Sequence, residues 1–111
     1  MSGSISTKDD SMYWRAAGWV YRLVVETLAE ATKDRDLEHE LRLILERGIE
    51  DLELDWFTPE QQHAIRNGII NDVIPKVQAM DFYQPDFKPG ALERLDELKT
   101  ALLKDSPNHK K

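Results

Sequence analysis

The chain has no cysteine. That excludes disulfides, thiolate metal sites and thiol nucleophiles, and it suits a reducing compartment, so a cytoplasmic location is expected. No apolar run comes near the ~20 residues of a membrane-spanning helix, so no membrane partner is expected either. Serine stands only at positions 2, 4, 6, 11 and 106, in or near the two ends, so no serine nucleophile is placed beside a histidine in a core pocket. Gly18, Gly48 and Gly68 each stand alone inside helical patterns, and no glycine-rich phosphate cradle can be drawn. Histidine is scarce too. His39 lies between Glu38 and Glu40, and a metal site could be sketched with Glu46 or His63, but adjacent helical residues point ~100° apart and such a site needs three or four convergent ligands. His109 falls in the tail. No catalytic residue, no cofactor and no metal is therefore assigned, and the chain reads as a non-enzyme.

Acidic charge is plentiful, and it is concentrated. Between Asp34 and Glu60 ten acids face three arginines, a net −7, while the whole chain carries −6. Direct nucleic-acid binding needs clustered Lys and Arg and is disfavoured by this balance; a basic protein partner is favoured.

The hydrophobic pattern reads as helix throughout. The segment 1–8 has the Ser/Gly character of a disordered leader, 9–105 reads as the folded domain and 106–111 as a frayed tail. Thr7 followed by Asp10 has the spacing of a capped helix start, and a first helix is expected from there to about Lys33. Its apolar surface is broad: Tyr13, Trp14, Trp19 and Tyr21 with Val20, Val24 and Leu28 suit either the central helix of a bundle or a homodimer seam. A break over 32–36, with Asp34 or Asp36 as cap, separates it from a second helix reaching about Leu54. Thr58-Pro59-Glu60-Gln61 is a capping box with proline at the first helical position, the most specific local signal in the chain. The third helix carries Pro75 inside it, and a kink or stop is expected near 71–74. Arg66 falls within its apolar arc. A fourth helix follows Pro89, with Leu92, Leu95, Leu98 and Leu102 on one face. No alternating run long enough for a strand competes. The expected fold is all-α, a single four-helix up-and-down bundle with a kinked third helix.

On that second helix Glu46, Glu50 and Glu53 recur at i,i+4 and i,i+3, and Asp55 continues the charge. Acids near a helix C-terminus oppose the macrodipole, so helix stability does not explain them. They mark a partner-binding face with Trp56 and Phe57 as its apolar centre. In size, charge and helix content the whole chain resembles the small acidic helical immunity proteins with which bacteria neutralise toxins, a resemblance that brings no site residues with it. What it implies is an inhibitor that occludes a basic toxin or nuclease. The alternative is a homodimeric adaptor or assembly subunit joined through the apolar surface of helix one.

Overall fold

The computed structural model describes residues 2–7 and 12–104. Within them the molecule is a mixed α/β fold. Three strands, β1 (Ser2–Ser6), β2 (Tyr13–Ala17) and β3 (Asp51–Glu53), form one sheet in the order β2-β1-β3. The expectation of an all-α helical bundle is overturned. So is the loose leader over positions 2–6, which is the central strand, antiparallel to β2 and parallel to β3.

The strands obey a period of two that helical reading passes over. Trp14 and Ala16 are buried while Tyr13, Arg15 and Ala17 are exposed. Ile5 sits opposite Trp14 on one side and Leu52 on the other, and all three side chains are buried. The opposite face pairs Ser4 with Arg15 and Asp51, and the Ser4 hydroxyl donates to Asp51 Oδ1 at 2.5 Å, a short bond to a charged acceptor. The supposed first cap serves the hairpin instead. The Thr7 amide donates to the Met12 carbonyl at 3.0 Å and the Met12 amide to Thr7 Oγ1 at 3.1 Å. The other proposed cap residue, Asp10, lies outside the described residues.

Helix α1 (Gly18–Ala31) follows β2 without a loop and is the hub of the fold, packed against the sheet, α2 and the third-helix region. Asp34 then caps α2 (Arg35–Glu46), its carboxylate accepting from the Asp36 and Leu37 amides. Helix α2 stops eight residues earlier than the sequence suggests. Gly48 adopts φ +67, the Gly48 amide donates to Leu45 O and the Ile49 amide to Ile44 O. This is a Schellman stop, with a left-handed glycine just past the helix.

The capping box at Thr58 is complete, with Gln61 N donating to Thr58 Oγ1 and Thr58 N to Gln61 Oε1, both at 3.1 Å. It opens α3 (Pro59–Gly68), which passes through a π-helical turn (Ile69–Val73) into α4 (Ile74–Ala79). Pro75 has no N–H to give, and the wider π turn just before it takes up the irregularity so that the helix continues. Arg66 is buried, and its Nη1 donates to the Leu102 carbonyl near the C-terminal end of α5 (Phe87–Lys104), where a cation complements the helix dipole. Trp14 Nε1 donates to the Arg94 carbonyl at 2.8 Å and ties β2 to the same helix.

Candidate protein-docking surface

The Schellman turn dissolves the acidic ridge. Glu46 ends α2, Glu50 lies in the connection beyond Gly48, and Glu53 is on β3, so the three do not share a helix face. Only Glu46 stands in the last turn of the helix; Glu50 and Glu53 no longer oppose its dipole. Asp55 is exposed in the short 3-10 turn Leu54–Trp56. Phe57 is core, at 7% exposure, and cannot be an anchor for a partner, whereas Trp56 is 54% exposed. His39 is exposed on α2, and His63 Nε2 lies 2.9 Å from Asn67 Nδ2 one turn further along α3.

The residues that matter together were distributed across the sequence. Two hollows flank Ile49, which is itself 36% exposed. The larger, about 470 Å³, lies between the first turn of α1 and the end of α2, with Trp19, Tyr21, Ile44, Leu45 and Ile49 among its walls. The smaller, about 210 Å³, shares Ile44 and Ile49 with it and runs to Trp56. A third hollow of about 360 Å³ shares Trp19 and Arg22 with the first and extends over Leu23, Met80, Phe82 and Tyr83. Trp19 is the pivot. Its ring meets Phe82 edge-on at 6.1 Å between centroids and Phe87 in a tilted stack at 5.9 Å, and it remains 44% exposed. Tyr83 is fully exposed beside it and Phe87 is 52% exposed.

A band of apolar side chains thus runs from Trp56 through Ile49 and Trp19 to Tyr83. Four carboxylates line its hollows, Glu26, Glu40, Glu50 and Asp81, against two arginines, Arg22 and Arg47. Exposed aromatic side chains and carboxylates therefore stand together along the band. Of the residues expected to bind a partner, the band keeps Glu50 and Trp56 at its hollows. Ile49, Phe82 and Tyr83 escaped the sequence reading, whereas Trp19 entered it as one of four aromatics on a broad helix face that suits either a core or a homodimer seam. A local signal did exist for Trp19: it stands beside Gly18 where a β alternation gives way to helix.

Tyr21 forms the floor of the larger hollow, and its hydroxyl donates to the Ile49 carbonyl at 3.0 Å. Burial first, then the carboxylates of Asp51 and Glu50, hold its phenol well above the ordinary value. A phenol whose pKa is raised by folding contributes its full stability below the unfolded value of about 10 and loses it as the pH climbs toward the folded value. Stability should therefore fall above about pH 10 with a slope of up to ~1.4 kcal/mol per pH unit. Urea midpoints measured from roughly pH 8 to 11.5 check this, and Tyr21→Phe should flatten the decline. Parallel declines in both proteins would assign the effect elsewhere.

Among the described residues no helix is long and apolar enough to cross a membrane. The chain matches no protein-family model, no curated protein and no solved structure.

Proposed function

We propose that this chain is a non-enzymatic protein-binding module that docks a basic partner on the Trp56–Ile49–Trp19–Tyr83 band and acts by occluding it, in the manner of an inhibitor or immunity protein. The observation that carries the reading is Trp19, a large aromatic left 44% exposed at the junction of two hollows although the chain has a complete core elsewhere. The acidic rim supplies attraction and steering toward a basic surface. A homodimer through the apolar surface of helix one has less support, because Trp14, Val20, Val24, Val25 and Leu28 are buried within the chain itself.

The test is capture from the native cell with the wild-type protein, Trp19→Ala and Tyr13→Ser, the last on the exposed outer face of β2. The expected result is a basic protein retained by the wild type and Tyr13→Ser, lost by Trp19→Ala, released as salt rises and inhibited stoichiometrically by the captured complex. A partner indifferent to salt and to Trp19, or an active partner in the complex, rejects the proposal.

A further inference from the structure

The larger hollow has two electrically distinct walls. On one side stands the Glu50 carboxylate. The Tyr21 proton is committed to Ile49 O beneath the apolar base of the hollow. On the other side is the start of α1, whose first turn has no side-chain cap. Its amides are donors without intrahelical partners, as at any helix start. Between the two walls the surface is apolar, with the exposed Trp19 ring as one flank and Ile44, Leu45 and Ile49 as the base. Arg22, which also lines the hollow, has its Nη2 3.9 Å from Glu26 one turn along α1.

We infer that this hollow is the seat of an arginine of the docked partner, with the guanidinium toward Glu50 and against the Trp19 ring, and the aliphatic stem on Ile44, Leu45 and Ile49. The inference deepens the docking reading and rests on it. An apolar side chain would leave Glu50 facing hydrocarbon, which is unfavourable. An acidic one would meet Glu50. Lysine would satisfy the carboxylate but lacks the planar face that stacks on an indole, so arginine uses every wall. With a volume of about 470 Å³ the hollow also has room for the backbone that carries the arginine.

The experiment is an NMR titration of the full chain with N-acetyl-arginine N-methylamide and, separately, with the norleucine and lysine equivalents. The Trp19 indole N–H, assigned by its loss in Trp19→Phe, and the Ile49 amide are followed. The arginine probe is expected to shift both saturably, and to bind about fivefold more tightly than norleucine and about twofold more tightly than lysine. Glu50→Gln should weaken the arginine probe about fivefold and leave norleucine unchanged, a contrast that misfolding would not produce. Absence of a saturable shift with arginine overturns the inference, and so does norleucine binding as tightly or an arginine affinity indifferent to Glu50→Gln. Failure here with Trp19-dependent capture of a partner intact would remove the arginine seat and leave the docking band. A specific arginine site with no partner captured through Trp19 would do the reverse.

Discussion

Replacing Ile5 by aspartate is expected to unfold the protein at ambient temperature. Ile5 is wholly buried at the middle of the central strand, between Trp14 on β2 and Leu52 on β3. An aspartate there loses the burial of a branched side chain and places a carboxylate in an apolar layer with no cation in either partner position. The expected loss exceeds ~4 kcal/mol, against a total stability of about 5–15 kcal/mol for a domain of ordinary stability. Ser2→Asp is the matching control. It lies on the opposite face of the same strand, where Arg15 Nε already donates to Ser2 Oγ at 2.9 Å, and its effect should stay within about 0.5 kcal/mol. Urea unfolding of the three proteins reads the contrast. Equal midpoints for Ile5→Asp and wild type would mean that residues 2–6 are not the central strand.

The same strand explains why the sheet was hidden in the sequence. A strand is legible when large apolar residues alternate with polar ones, and β1 alternates Gly3 and Ile5 with three serines, so only one of its inward positions looks hydrophobic. Strand β2 uses Ala16 inward and Arg15 outward, both good helix formers, and runs straight into α1, so Trp14 and Val20 merge into one apparent stripe. Strand β3 has three residues, too few for any period. Where the signal is local chemistry the sequence was a sound guide: Asp34 caps α2, the Thr58 box opens α3, and Pro75 disturbs the helix beside it. Gly48 was legible in principle, since glycine followed by isoleucine at a helix end suits a Schellman stop, but it was absorbed into the apolar stripe of helix two. That single residue moved Glu50 and Glu53 off the helix and left Glu50, alone of the three, at the larger hollow. The band itself joins residues from positions 19 to 83, and nothing local in a sequence records such a juxtaposition.

An alanine at position 3 is expected to destabilise the fold by about 2–3 kcal/mol, far more than a single methyl on a strand that lies among serines would suggest. The reason is Tyr21. A Cβ at Gly3 would overlap Tyr21 Cγ and Cβ and lie 2.7 Å from Cδ2, so the ring occupies the space where the side chain of residue 3 would be. Tyr21 is buried and held at its far end by the bond to Ile49 O, so it has little room to retreat. A double-mutant cycle with Tyr21→Ala separates this clash from a general effect on the strand. Alanine removes Cγ and Cδ2 and loses the hydroxyl bond, so it destabilises alone, but it should relieve most of the overlap and leave a coupling of at least ~1 kcal/mol between the two positions. Additive effects would show that the ring and residue 3 do not contend for the same space. The cycle also reaches the docking surface, because the ring that Gly3 admits is the floor of the hollow and its hydroxyl fixes the Ile49 carbonyl. If Gly3→Ala remains folded, the displaced ring should weaken the arginine probe together with the fold, whereas Ser2→Asp, on the other face, should change neither.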